Sequence, residues 1–296
     1  MRADPAFLDQ PINFWAYVRA ITEALGSARR GSNTVADYTL HQIIDALQGL
    51  DRPTDVLGTA RRPSTLGQLL EDYFSYRADL LNNQVRDDLM TADQAEIEFN
   101  HLVDSYSLGE PKAIVTKGVM VAQEYLVCGL PVRIAMNKQK GLMRRLAYLT
   151  GMIDIIVAHA LQGQTFDSDP RKLITVDDDH GLYATLSRRM DGAYPSTTNP
   201  IAVWEIKEYY YTTTFGSKIS DAVYITDLDG REIGEVSDHT GRDMQYLMMI
   251  DAYDTWWIKG KSYLCRLIDL LNMGRLDHLL VGREVLDQLP EIAASW

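Results

Sequence analysis

Apolar residues recur at helical spacing through the first third of the chain. Phe14, Trp15, Val18, Ile21 and Leu25 fall on one side of a helix spanning Pro11 to Leu25. Ile43, Ile44 and Leu47 mark a second helix behind Asn33, a candidate cap, and Leu66, Leu69, Leu70, Phe74, Leu80 and Leu81 mark a third opened by Ser64. Thr91-Ala-Asp-Gln94 matches a capping box, in which Thr and Gln each satisfy an unpaired N–H of the first turn, ahead of Ile97, Phe99, Leu102 and Val103. Residues 49–64, with Pro53, Pro63 and Arg61-Arg62, read as a loop. Such stripes are the faces of a packed core, not a cofactor box.

The pattern changes after residue 110. Pro111 to Leu130 is ambiguous, because Val115, Val119 and Val121 suit helix or strand. Gly141 to Leu161 has the length and period of a helix, and Leu173-Ile-Thr-Val, a turn at Asp177 to Gly181, and Leu182 to Leu186 read as a hairpin. Ile201 to Lys207 is a strand with apolar positions on both faces; Ser217 opens a helix through Ile219 and Val223 toward Leu228. A strand at Tyr246 to Ile250, a helix at Lys261 to Met273 and a strand at Leu279 to Val281 follow. Parallel pairing of 201–207 with 246–250 needs a crossover of a dozen or more residues, and the intervening helix is long enough. The expectation is an α/β chain with a helical region over 1–130 and a second domain over 131–296.

Two charges interrupt that pattern. Residues two apart in a strand share a face, so Glu205 and Lys207 point one way while Trp204 and Ile206 point the other. Buried ionised groups are costly unless each finds a partner or a metal. Asp191, in Ser187-Arg-Arg-Met-Asp191-Gly, precedes Glu205 with thirteen residues between them. An Asp followed by Glu-x-Lys resembles the PD-(D/E)XK nuclease superfamily, and Arg188 to Tyr211 is similar to an uncharacterised bacterial branch of restriction-enzyme-like proteins. Met190 stands where that motif has Pro.

The resemblance implies a restriction-endonuclease-like mixed β-sheet core flanked by helices; the N-terminal region, all-helical by its periodicity and without a catalytic constellation, is then the expected source of dimer contacts or target recognition, or else a structural cap on that core. It implies Mg²⁺, for which Mn²⁺ can substitute, held by Asp191, Glu205 and the Ile206 carbonyl, with Lys207 orienting or deprotonating the attacking water. Asp154 is the possible accessory acid, and an exposed helix carboxylate is the alternative. Double-stranded DNA is the implied substrate, cut by a homodimeric restriction-type or other defence endonuclease. A nuclease acting on RNA or single strands, and a catalytically silent binding or assembly protein retaining the fold, remain open.

Composition restricts these readings. The net charge of −12 opposes nucleic-acid binding unless cations are concentrated locally. The densest positive stretch is Arg133, Lys138, Lys140, Arg144 and Arg145, and Arg188 and Arg189 precede the candidate Asp. Tyr210, Thr212 and Lys218 add hydroxyls and an ammonium for a substrate groove. The Asp-rich turn at 177–181 needs no metal, and Asp227-Leu-Asp-Gly230 reads as a turn or helix end lacking the other calcium-loop ligands. Cys128 and Cys265 lie far apart, no basic-then-apolar leader opens the chain, and the most apolar helix carries Asp154 and His159. A reduced cytoplasmic protein without a membrane span is expected.

Overall fold

The computed structural model describes residues 1–28, 32–211 and 217–296. The N-terminal part contains α1 (Pro5–Leu8), α2 (Ile12–Leu25), α3 (Leu40–Gly49), a short ribbon of β1 (Gly58–Thr59) and β2 (Arg62–Pro63), and α4 (Thr65–Asp79). A π-helical turn at Leu80–Val85 continues α4 into α5 (Arg86–Asp88), and α6 (Ala92–Ser105) follows. Ser64 caps α4 and the Thr91–Gln94 box caps α6, as their residue types dictate. The second helix starts later than Asn33: Thr39 and Gln42 form its capping box. Phe14, Trp15, Val18, Ile21, Ile43, Leu47, Leu70 and Phe74 form one core of this part.

The all-helical expectation to residue 130 is corrected here. β3 (Lys112–Thr116), β4 (Val119–Val127) and β5 (Leu130–Ala135) form an antiparallel sheet. The tight turns between them place Lys117, Gly118, Cys128 and Gly129 at positive φ, the backbone geometry that reverses a strand. Valines that tolerate either state become strand once pairing across these turns is available.

The main sheet is mixed, ordered β11 (His278–Val281), β10 (Gln245–Asp251), β9 (Ala202–Glu208), β8 (Gly192–Tyr194). β9, β10 and β11 run parallel, and β8 pairs antiparallel with β9. Before it come α7 (Tyr148–Ala160) and the hairpin of β6 (Thr175–Asp178) and β7 (Gly181–Thr185). α8 (Ser217–Thr240) and α9 (Lys261–Asn272) make the parallel crossovers, and α10 (Glu284–Ala294) ends the fold. Asp227 to Gly230 is therefore helix interior, not a turn. Gly230 is small because a Cβ there would lie 2.0 Å from the Arg275 carbonyl oxygen.

Alternation along β9 assigns its two faces. Ala202, Trp204 and Ile206 pack with α7 and α10, whereas Val203 packs in the core of α8 and α9. Glu205 and Lys207 share the Val203 side, and Glu208 shares the Trp204 side. The chain is thus a mixed α/β protein, and no helix among the described residues is long and apolar enough to cross a membrane.

Candidate active site

Asp191 stands where β8 begins. Its N–H donates to the Trp204 carbonyl at 3.0 Å, and its Oδ2 accepts the Ile206 N–H at 2.8 Å. β8 pairs Gly192 with Trp204, and a Cβ at 192 would lie 1.9 Å from the Trp204 ring. Glycine lets the indole close over the strand, and the Asp191 carboxylate then serves β9 where the backbone of β8 has ended. Oδ1 has no donor among the described residues.

Glu205 is only 2% exposed. Lys207 Nζ donates to its Oε1. Arg188 Nη2 stands 2.5 Å from Oε2, yet neither atom makes a directed hydrogen bond, so the contact is an ion pair without good geometry. Arg188 Nε bonds both oxygens of the buried Asp229, at 3.1 and 3.2 Å. Tyr246 donates its hydroxyl to Asp229 Oδ2 at 3.1 Å. Burial pushes the Glu205 carboxyl up to about 7, and the Asp191 charge adds to this, against the opposing pull of Lys207 and Arg188.

Asp154 lies on the buried surface of α7, so the exposed-carboxylate alternative does not hold. Its Oδ1 has no hydrogen-bond partner. Burial, followed by the charges of Asp169 and Asp191, raises its carboxyl well above the usual range. Asp191 therefore acts electrostatically on two buried carboxyls, one from α7 and one from β9. Their oxygens are hard donors of the kind Mg²⁺ takes, and Asp154 Oδ1 and Glu205 Oε2 both lack directed donors. Among the described residues, no three His, Cys, Asp or Glu side chains already converge as a metal cluster. The donor chemistry fits the ion, although these side chains do not converge on one point among the described residues.

Asp191 also lines a cleft of about 1060 Å³ together with Lys138, Arg171, Lys172, Arg188 and Arg189. Arg171 pairs with Asp169, while Lys138, Lys172 and Arg189 make no ion pair among the described residues. The cleft is locally basic in an acidic chain. Lys140 and Arg145 are exposed but do not line it, and Arg144 donates to the Met120 carbonyl at 2.8 Å. Tyr210 is turned inward, its hydroxyl donating to the buried Asp251. Lys218 is exposed, with its carbonyl accepting from Tyr209 at 3.2 Å; Thr212 lies outside the described residues. Arg188 faces inward toward Glu205 and Asp229 and is not a free phosphate ligand in this arrangement.

Sequence reasoning missed Asp169, Arg171, Lys172 and Asp229. Arg171-Lys172 was visible as a basic pair but lacked an element to place it. Asp229, in the segment read as a turn or helix end, instead lies within α8, and its role shows only once Arg188 is brought against it.

The chain belongs to the family described as a domain of unknown function (DUF7687), matched over residues 90–296. Residues 1–84 match a second such description, DUF7690. No curated protein and no solved structure matches the chain.

Proposed function

We propose that the protein is a Mg²⁺-dependent DNA endonuclease of restriction or other defence type, with a restriction-endonuclease-like core. The observation that carries this reading is the double position of Asp191: it lines a basic cleft and acts on the buried carboxyls of Asp154 and Glu205. A helix, strands with the carboxylates, then helix, strand, helix and strand is also the order such a core has.

Asp191 and Glu205 would hold the ion, with the Ile206 carbonyl as third donor and Asp154 as accessory acid. When bound, Mg²⁺ lowers the pKa of water and stabilises charge on the phosphoryl oxygens. Lys138, Lys172 and Arg189 bind backbone phosphates and orient the duplex. Lys207, beside Glu205, positions the attacking water and offsets negative charge as it develops. One such site cuts one strand, so cleavage of both strands is most simply done by a two-fold dimer.

Plasmid, single-stranded DNA and RNA are incubated side by side with the protein and Mg²⁺ or Mn²⁺. Nicking or cutting of plasmid is expected, with Glu205→Ala and Lys207→Ala reducing the rate by at least ~10²-fold while the protein stays folded. Ca²⁺ should support binding without turnover. A silent scaffold is favoured by the ion pairs of Glu205 with Lys207 and Arg188, and identical inactivity of wild type and both variants would establish that reading instead.

A further inference from the structure

Arg188 occupies an unusual position for a cleft-lining cation. It reaches from the cleft wall to the buried Glu205, holds Asp229 through Nε, and donates Nη1 to the Arg189 carbonyl at 2.7 Å. Glu205, unlike Asp191 and Arg188, does not line the cleft. The guanidinium therefore stands between the cleft and the carboxylate that would hold an ion. Its grip is uneven. Both Asp229 oxygens accept from Nε, whereas Nη2 and Glu205 Oε2 are close without a directed hydrogen bond.

We propose that Arg188 is a positioning residue that acts as a displaceable counter-ion: it neutralises Glu205 in the metal-free protein, and a divalent cation takes its place at Oε2 while Asp229 retains the guanidinium. This rests on the metal-site reading above. Three observations support it. Oε2 is screened by charge but its directional bonding capacity is unused. Asp229 is buried and further fixed by Tyr246, so it is a permanent anchor for Nε. Without a cation at Oε2, Lys207 would be the one cation paired with Glu205 while the Asp191 charge opposes it, which leaves the buried carboxylate only partly compensated. Occupancy of one position by either a guanidinium or a divalent ion solves that problem in both states. No proton or electron is transferred; one ionic contact is exchanged for another.

The consequence is a tax on metal affinity. Removing a positive charge a few ångströms from the site should tighten cation binding by at least ~10-fold, since a unit charge at such a distance acts with several kT even at an effective dielectric near 20. Arg188→Met alone leaves Asp229 buried without its cation and risks unfolding, so Arg188→Met is also combined with Asp229→Asn, which removes both charges of that pair. Mn²⁺ is the probe, with free ion followed by electron paramagnetic resonance, and Glu205→Gln is introduced into each background. The expected result is Mn²⁺ binding at least ~10-fold tighter in Arg188→Met than in wild type, and tighter by a smaller factor in the double variant, which also loses the more distant Asp229 charge, with that binding lost on adding Glu205→Gln. Equal or weaker binding in the double variant, while Glu205→Gln still abolishes it in wild type, overturns the counter-ion role and leaves the metal site standing. Absence of Glu205-dependent Mn²⁺ binding in every background overturns both.

Discussion

Glu205 and Glu208 lie three positions apart on β9 and so face opposite sides of the sheet. Both carboxyls are pushed up to about 7 by burial, but they are compensated differently. Glu205 faces Lys207 and Arg188. Glu208 receives the amides at the start of α7: its Oε2 accepts from Thr150 N–H at 3.2 Å and from the Thr150 hydroxyl at 3.1 Å. α7 has Ala147 at its N-cap position and no side-chain cap of its own. A carboxylate from the neighbouring strand thus satisfies donors that the helix leaves open. Glu208→Ala should destabilise the fold by about 1–3 kcal/mol, and Glu208→Gln, which keeps an acceptor, by distinctly less. Urea denaturation of the three proteins checks the order. The sequence displays Glu208 only as the next polar residue after Lys207; its partner lies over fifty positions earlier, so nothing local marks the role.

At the scale of elements, the end of β10 carries a buried carboxyl beside that of Glu208. Asp251 pairs with Glu208 in the β9–β10 register, and its Oδ1 accepts the N–H groups of Met90 and Ala252, each at 2.8 Å. Its other oxygen takes the Tyr210 hydroxyl. Burial still dominates and pushes Asp251 up to about 7, with the three hydrogen bonds opposing and the Glu208 charge adding a little. A carboxyl raised in the folded state binds its proton more tightly there than in the unfolded chain, where it titrates near 3.8. Its contribution to stability is fully present below that value, declines as pH rises from about 4 to about 7, and is absent above. Each such group adds a slope of at most ~1.4 kcal/mol per pH unit. Asp251→Asn keeps the acceptor for Met90 and Ala252 and removes the titration, so the fall in stability between pH 5 and pH 7 should be shallower than in wild type. Denaturant midpoints at the two pH values measure this; an unchanged slope would contradict it.

Across the whole molecule, the N-terminal helices are joined to the sheet layer through a charged core. Arg77 on α4 is fully buried, and its Nη1 meets Asp269 Oδ1 on α9 at 2.8 Å. Tyr73 donates to the same oxygen at 2.5 Å, and the guanidinium lies 4.8 Å from the centre of the Phe74 ring. Burial disfavours the charge on Arg77, and Asp269, together with Cys265 and Tyr73, more than restores it. Arg77→Met would leave Asp269 without its cation and should cost about 3–5 kcal/mol, whereas Arg77→Met combined with Asp269→Asn should recover much of the loss. Thermal melts of the single and double variants test that coupling. The same network crosses the boundary between the matches at residues 1–84 and 90–296, so the N-terminal helices and the sheet should unfold together.

Hydrophobic period and cap chemistry determined most helices and the parallel strands by themselves, because these signals lie within a dozen neighbouring residues. Ser64 and the Thr91–Gln94 box sit where the chain says they should. The alternation along Ile201 to Lys207 likewise placed Glu205 and Lys207 on one face. Tertiary structure decided everything that depends on distant partners. It turned the valines of 112–127 into strands by pairing them, and buried Asp154 by covering α7 on several sides. It brought Lys138, Lys172 and Arg189 from three separate segments into one cleft, and set Arg188 between Glu205 and Asp229. Backbone preference is local and can be read along the chain; desolvation and charge pairing are summed over whatever the fold brings within a few ångströms, and no linear order of residues contains that sum.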